Sequence, residues 1–219
     1  MWLKGVVMKA HYNGLIPRNP FIQFHISPNV KEREYLTEDE LKAVMTHEFA
    51  DSKLAYIRDI FIFASFTALS FVDIQELTND NIVEVNGEKW ILSKRHKTKV
   101  AFQVKLLDIP LQIVERYRPM QKDNRIFPGL NYWSICKPLK RMIRECGITK
   151  SISFHCSRHG FATLALSKGM PIESVSRVLG HTNIVTTQLY AKITTQKLDN
   201  DLTMFGDKLS KTFNGITMS

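Results

Sequence analysis

Apolar residues recur at intervals of three and four along most of the chain, the spacing of one face of an α-helix. Thr37 marks a helix start, because Glu40 follows at the position that completes a capping box. Gly169 and Gly180 mark helix ends, where a left-handed conformation is favoured. Further helices are expected over residues 55–69, 111–120, 132–146, 155–168 and 171–179, and over a short segment that Asn183 caps and that carries Tyr190.

The middle of the chain contains a stretch with strand character. Ile82–Val85 and Lys89–Leu92 flank Asn86-Gly87, and this dipeptide favours a two-residue hairpin turn because both positions accept positive φ. Phe102–Leu107 supplies a third strand, and the basic segment 93–100 is the loop before it. The pattern predicts a mainly α-helical fold with a small three-stranded antiparallel β-sheet.

The two ends of the chain differ from this middle. A short helical start is followed by the turn-rich stretch 13–20, and residues 21–31 read as an extended linker. Near the other end an apolar stripe at helical spacing consists of Leu198, Leu202, Phe205 and Leu209. This stripe either packs on its own domain or docks into a neighbouring molecule.

Composition narrows the class of protein. Apolar residues make up 44% of the 219 residues, which is enough for a packed core. The formal net charge is +9, and lysine and arginine in such excess favour a polyanionic partner because they displace counterions from a phosphate backbone. Charge that serves solubility alone is the alternative.

Several classes are not expected. The three cysteines are odd in number and lack paired spacing, so we expect neither a disulfide framework nor a metal site, and a reducing cytoplasm fits best. The longest apolar run, Ile57–Leu69, is interrupted by Arg58 and Asp59, so no membrane span is predicted. The first ten residues lack the order of a secretory signal.

Three motifs follow one another in the last third of the chain: His155-Cys-Ser-Arg158-His159, then Leu179-Gly180-His181, then Thr186-Thr187-Gln-Leu-Tyr190. In this order and spacing they resemble the C-terminal signature of the tyrosine recombinases, also called the phage integrase family. Phe66–Ile74 and Lys97-Thr98 are similar to two further segments of that family. The resemblance covers roughly residues 34–197.

The resemblance implies a tyrosine nucleophile, Tyr190, and the residue types suit that chemistry. A neutral phenol with a pKa of about 10 is a poor nucleophile at pH 7, and its attack on a phosphodiester builds negative charge on the phosphate oxygens. Arg158 can clamp that charge, and His155 and His181 can donate hydrogen bonds or shuttle a proton. By resemblance, Lys97 is the general acid for the departing 5′ oxygen. A 3′-phosphotyrosyl link conserves bond energy, so no cofactor is implied.

The chain departs from the family pattern at Ser70, where the family usually has its first catalytic arginine. An inactive enzyme, a substitute cation and a mobile-element integrase branch that works with one arginine fewer are the three explanations, and the other motifs favour activity. Arg95 in the basic loop is the best substitute cation. Asp73 either orients active-site groups or stabilises a helix start, and His159 either supports the site or packs beneath it.

We therefore expect a tyrosine recombinase catalytic-domain fold over residues 31–219, with the end of a core-binding domain and a linker at 1–30 and more DNA-binding structure upstream. The expected function is site-specific cleavage and rejoining of double-stranded DNA, with integration or excision of a mobile element as the preferred role. The resemblance implies a homotetramer on DNA with exchanged C-terminal helices, and a monomer for a shortened chain without DNA. The alternatives are a helix-turn-helix DNA reader over residues 171–190 that lacks catalysis, and a type IB topoisomerase.

Overall fold

The computed structural model describes residues 2–22, 34–97, 99–121, 123–191, 195–212 and 214. The chain divides into two compact units, residues 1–32 and residues 33–219. The first unit contains α1 (Trp2–Tyr12), a helix without a buried residue, and the turns that follow it as far as Ile22. The expected extended linker, residues 21–31, lies almost entirely outside the described residues.

The second unit is helical apart from one sheet. Its helices are α2 (Glu38–Thr46), α3 (Ser52–Thr67), α4 (Phe71–Gln75), α5 (Asp108–Tyr117), α6 (Tyr132–Glu145), α7 (His155–Ser167), α8 (Ile172–Leu179), α9 (Val185–Gln188) and α10 (Thr195–Thr212). Its strands are β1 (Ile82–Val85), β2 (Glu88–Lys94) and β3 (Ala101–Lys105). Single 3₁₀ turns occupy Asn79–Asn81 and Arg118–Met120.

Helix α3 forms the centre of the core because it is apolar on nearly all sides. Ile60 and Phe63 are completely buried, and α2, α5, α6 and α7 pack around the helix. Phe61 meets the ring of Phe154 edge to face, with centroids 6.1 Å apart. Since Phe154 directly precedes α7, this contact fixes the start of α7 beside α3.

A buried ionic cluster ties α3 to α5. The Asp59 carboxylate accepts hydrogen bonds from Arg58 Nε at 2.9 Å, from Arg116 Nη1 at 2.7 Å and from the Tyr117 hydroxyl at 2.8 Å. A buried carboxylate is stable only with such partners. The cluster explains how a charged residue interrupts the apolar run that the sequence shows at 57–69.

The sheet has the strand order β1-β2-β3, with both neighbouring pairs antiparallel. Asn86 and Gly87 have φ values of 53° and 77°, as the predicted hairpin turn requires. The third strand begins one residue earlier and ends two residues earlier than the sequence indicated. The predicted fold class, mainly α with a three-stranded antiparallel sheet, is confirmed.

Caps agree with the sequence at several helix ends. The capping box of Thr37 and Glu40 is formed. The N-cap of α9 is Ile184 rather than the predicted Asn183, although the Asn183 carboxamide oxygen accepts from the Val185 N–H at 2.9 Å. The prediction that Tyr190 lies on the short helix is wrong. Helix α9 ends at Gln188, and the Tyr190 N–H donates to the Thr187 carbonyl at 3.0 Å, so the chain tightens into a turn.

Helix α10 carries the predicted apolar stripe on an exposed surface: Leu202 is 59% exposed and Phe205 is 58% exposed. Across the described ranges, no helix combines the length and the apolar character that crossing a membrane requires. The same residues contain no group of three or more histidine, cysteine or acidic side chains placed to hold a metal ion.

Candidate active site

The first turns of α7 present three predicted site residues. His155, at the N-terminus of the helix, is exposed, and His159 one turn later is buried. Their rings meet edge to face at right angles, with centroids 4.5 Å apart, so the two imidazoles lie on one side of the helix. Arg158 lies between them in sequence and is partly buried. The helical spacing that the sequence indicated therefore brings these side chains together.

Arg158 connects three elements. Its Nη1 donates to the Ala68 carbonyl after α3 at 2.9 Å, and its Nη2 donates to the Leu179 carbonyl at the end of α8. Burial and the nearby positive charge of Arg95 lower the pKa of Arg158 to about 10, while Tyr190 and Asp73 oppose that shift. The guanidinium remains protonated at pH 7 and is held in place by backbone carbonyls.

Tyr190 lies beside this face. Its ring is tilted against the His159 ring with centroids 5.1 Å apart, and it packs on a small apolar cluster formed by α7 and α8. The Tyr190 phenol raises the pKa of Arg158, against the lowering by burial and by Arg95. The nucleophile predicted from the last motif thus comes next to the residues predicted from the first motif.

His181 approaches the same face from the turn after α8. Its Nδ1 lies 2.9 Å from the Thr187 hydroxyl oxygen. Burial and then the positive charges of Arg158 and Arg95, with a smaller effect of His155, lower its pKa to about 4. The imidazole is therefore neutral at pH 7, which favours a role as a hydrogen-bond donor or proton acceptor over that of an acid.

Ser70 is the N-cap of α4, and its side chain is hydrogen-bonded to Asp73. The Ser70 hydroxyl donates to Asp73 Oδ2 at 2.8 Å, and the two residues form a capping box. Burial alone would raise the pKa of Asp73, but hydrogen bonds from the His96 N–H, from Arg95 and from Ser70 outweigh it and hold that pKa below its usual value. Asp73 therefore takes part in the capping of α4 and also forms an ion pair with Arg95.

Arg95, the predicted substitute cation, is buried close to Asp73 and α8. Its Nη1 donates to Asp73 Oδ2 at 2.8 Å and its Nη2 to the Val178 carbonyl at 2.5 Å. The guanidinium lies 4.1 Å from the ring centroid of Phe102. The side chain also passes Gly180 so closely that a Cβ atom there would lie 3.1 Å from Arg95 Cγ and Nε.

Lys97 is not drawn into this cluster. It lies in the loop between β2 and β3, and its side chain is exposed. The loop itself is anchored beside the site, because the His96 N–H donates to Asp73 Oδ1 at 2.9 Å and His96 Nδ1 lies 2.8 Å from Glu76 Oε2. Thr98, the other residue of this motif, lies outside the described residues.

Sequence reasoning missed one residue of the site, Thr187. Thr187 is completely buried, and it reaches His181 with its hydroxyl and Tyr190 with its carbonyl. The threonine pair before Tyr190 was visible as a pattern, but nothing in the sequence distinguished the buried Thr187 from the exposed Thr186.

The profile of the phage integrase family matches residues 34–197, which contain every site residue described above. The chain belongs to the phage integrase family. It is a tyrosine recombinase catalytic domain, as the motifs indicated, and helix α1 and most of α10 lie outside the matched range.

Curated members of the phage integrase family are similar over much of the chain. The tyrosine recombinase XerA of Pyrococcus horikoshii is 32% identical over 177 residues, which are 74% of this chain and 58% of that protein. The tyrosine recombinase XerD of Listeria innocua is 26% identical over 204 residues, covering 85% of this chain and 67% of that protein. The chain thus spans little more than half the length of the XerA relative.

Solved structures of two integrases share the fold. The Tn1549 transposon integrase in complex with a circular intermediate DNA superposes with a TM-score of 0.77 at 18% identity, covering 92% of this chain and 76% of that one. A lambda integrase dimer bound to a COC′ core site gives a TM-score of 0.68 at 18% identity, covering 86% and 56% of the two chains.

Proposed function

We propose that this chain is the catalytic part of a site-specific recombinase that cleaves and rejoins double-stranded DNA through a 3′-phosphotyrosyl intermediate. The observation that carries the proposal is the convergence of Arg158, His181 and Tyr190, from three separate segments, on the face of α7 that holds His155. The membership of the phage integrase family and the DNA complexes of its structural neighbours support it.

In the proposed reaction the Tyr190 oxygen attacks the phosphorus and the bond to the 5′ oxygen breaks. The phenolic proton passes to the imidazole of His155, while the neutral His181 remains a hydrogen-bond donor to the phosphate. Arg158 balances the charge that grows on the non-bridging oxygens. Lys97 gives a proton to the departing 5′ oxygen. Because Lys97 lies in an exposed loop, bound DNA has to bring this side chain close to the 5′ oxygen.

We assign the role of the missing first arginine to Arg95. A serine at position 70 supplies no charge, but its hydroxyl is bonded to the carboxylate that holds Arg95. The charge of Arg95 acts on both Arg158 and His181, so it lies within electrostatic range of the phosphate site proposed here. This arrangement favours an active enzyme over an inactive one.

The wider role is proposed from the same relatives. Integration or excision of a mobile element is favoured because the structural neighbours include a transposon integrase with circular intermediate DNA. A homotetramer on DNA would accept the exposed stripe of α10 in a neighbouring subunit. The helix-turn-helix alternative loses support, because α9 has four residues and is too short for a recognition helix.

Covalent attachment to DNA tests the proposal. The protein is incubated with a pool of duplexes that carry a nick within a randomised sequence, and adducts are separated on a denaturing gel. Cleavage close to the nick releases a short strand with the 5′ hydroxyl that rejoining needs. The wild-type protein should therefore accumulate a covalent adduct, and sequencing of its DNA identifies the target. Tyr190→Phe should form none, and Tyr132→Phe, which changes an exposed tyrosine near the site, should form it normally.

An adduct in Tyr190→Phe, or none with the wild-type protein, would contradict the proposal. The topoisomerase alternative is tested separately with a supercoiled plasmid that carries two copies of the trapped sequence. Exchange between the two copies supports a recombinase, whereas relaxation without exchange supports a topoisomerase.

A further inference from the structure

Thr187 occupies an unusual place between two residues of the proposed site. Its side chain is completely buried, and its hydroxyl oxygen lies 2.9 Å from His181 Nδ1. Its carbonyl accepts the N–H of Tyr190 at 3.0 Å, and its own N–H donates to the Ile184 carbonyl at 2.7 Å. One residue therefore contacts the histidine through its side chain and the nucleophile through its backbone.

The burial of Thr187 decides the direction of the hydrogen bond to His181. If Nδ1 carried a proton and donated it, the hydroxyl hydrogen would be left without an acceptor among the described residues and without access to solvent. If the hydroxyl donates to Nδ1, both groups are satisfied, and this is the cheaper arrangement for a buried donor. The proton of the neutral imidazole then lies on Nε2.

We propose that Thr187 is a positioning residue that holds His181 in the tautomer protonated at Nε2, so that Nε2–H donates to a non-bridging oxygen of the scissile phosphate. The cleavage role in this inference rests on the function proposed above. A hydrogen bond to one ring nitrogen commonly fixes the proton on the other, and such supporting contacts orient the residues that touch substrate. Because Thr187 also holds the N–H of Tyr190, a shift of this residue moves both groups.

The chain offers matched variants. Thr187→Val has nearly the same shape and lacks the hydroxyl, whereas Thr187→Ser keeps the hydroxyl. Thr186→Val makes the same change at the neighbouring exposed position, whereas the observed hydrogen bond to His181 comes from Thr187. Thermal unfolding of each variant gives the temperature range in which it remains folded.

The tautomer is measured without DNA, by ¹⁵N NMR of the histidine-labelled protein at pH 7, with the His181 signal identified by its loss in His181→Gln. We expect a protonated Nε2 and an unprotonated Nδ1 in the wild type, in Thr187→Ser and in Thr186→Val. Thr187→Val should give a mixture of tautomers. A protonated Nδ1 in the wild type would overturn the inference whatever the variants do, and so would an unchanged tautomer in folded Thr187→Val.

The cleavage role is measured by single-turnover attachment to the DNA sequence trapped as described above. Thr187→Val should react about tenfold more slowly with unchanged DNA affinity, and Thr187→Ser should restore most of the rate. Normal attachment by Thr187→Val would overturn the cleavage role and leave the proposed recombinase function intact. No attachment by the wild type would contradict the recombinase function, while the tautomer measurement still tests the contact itself.

Discussion

Arg95 is a buried cation whose partners come from three separate elements of the chain. Asp73 at the start of α4 forms its ion pair, the Val178 carbonyl of α8 accepts its second hydrogen bond, and Phe102 of β3 covers its guanidinium. Its Nε is buried without a hydrogen-bond partner among the described residues. A cation kept in place at this cost in desolvation suits a site where negative charge develops.

Substitution of Arg95 tests its role as the substitute cation. Arg95→Ala should slow attachment to DNA by a factor of about 100 or more, the usual effect of removing one preorganised donor. Lys94→Ala changes an exposed cation next to it and should leave the rate unchanged. Single-turnover cleavage at a temperature where both variants are folded measures the effect.

The variant Arg95→Ala also leaves Asp73 buried without its ion-pair partner, so its stability is measured in parallel. Breaking a buried pair by removing one partner costs roughly 3–5 kcal/mol. Arg95→Lys retains a charge and should fold better than Arg95→Ala. Wild-type cleavage by folded Arg95→Ala would exclude Arg95 from the site.

The protonation of His181 gives a prediction about pH. Its folded-state pKa of about 4 lies below the ordinary value of 6.5, so the unfolded chain takes up a proton at a higher pH than the folded protein does. The folded state should therefore lose stability as the pH falls from about 6.5 towards 4. An NMR titration should show His181 neutral down to about pH 5.

The contribution of His181 is isolated with His181→Gln. The difference in unfolding free energy between this variant and the wild type should shrink towards low pH, because the variant has no imidazole to protonate. A His181 signal that titrates near pH 6.5 would contradict the burial and charge effects described above.

The turn that ends α8 also supplies groups of the proposed site. Gly180 has a φ of 62°, which a glycine adopts without strain, and it also leaves room for Arg95. The same turn supplies His181 and, through the Leu179 carbonyl, a partner of Arg158. The motif Leu179-Gly180-His181 is thus one structural unit that receives two arginines.

Alanine substitutions at Gly180 and Gly169 distinguish the effect of backbone strain from the effect of a steric contact with Arg95. Gly180→Ala and Gly169→Ala both place a side chain at positive φ, so each should destabilise the fold by about 1 kcal/mol. Only at Gly180 would the new Cβ atom press on Arg95, because nothing lies within 4 Å of a Cβ atom at 169. Cleavage should therefore slow in Gly180→Ala and remain normal in Gly169→Ala, as single-turnover assays with the folded proteins would show. Equal cleavage rates in the two variants would contradict the prediction that a Cβ atom at position 180 displaces Arg95.

Helix α10 links the single chain to the proposed assembly. Leu198, Leu202, Phe205 and Leu209 all lie on one side of it and are between 39% and 59% exposed. An apolar stripe of this kind is normally covered by a partner surface. The net charge of +9 favours binding to DNA, where the proposed docking between copies would take place.

Assembly on DNA tests the role of this helix. Leu202→Ser with Phe205→Ser should reduce the mass of complexes on duplexes that carry the trapped sequence, as measured by light scattering, because burial of these two side chains would be lost. Asp207→Ser lies on the opposite side of the helix by its spacing and serves as the control. Undiminished complexes in the double variant would contradict helix docking.

The sequence by itself determined the class of fold and the family, and it predicted the reacting groups. Local patterns sufficed for this, because capping boxes, the Asn86-Gly87 hairpin and helical spacing act over a few residues. The motifs around Arg158 and Tyr190 also lie close together in the chain, so their order could be compared with the phage integrase family directly.

Tertiary structure decided which groups hold Arg95, the proposed substitute for the missing arginine, and which group holds His181. The Arg95 contacts join positions 22 and 83 residues apart, and those of Arg158 reach 90 residues away, distances over which no local preference acts. Whether Thr186 or Thr187 contacts His181 depended on which side of the four-residue helix α9 becomes buried. Burial then set the protonation of His181, because desolvation and neighbouring charge exist only once the chain has folded.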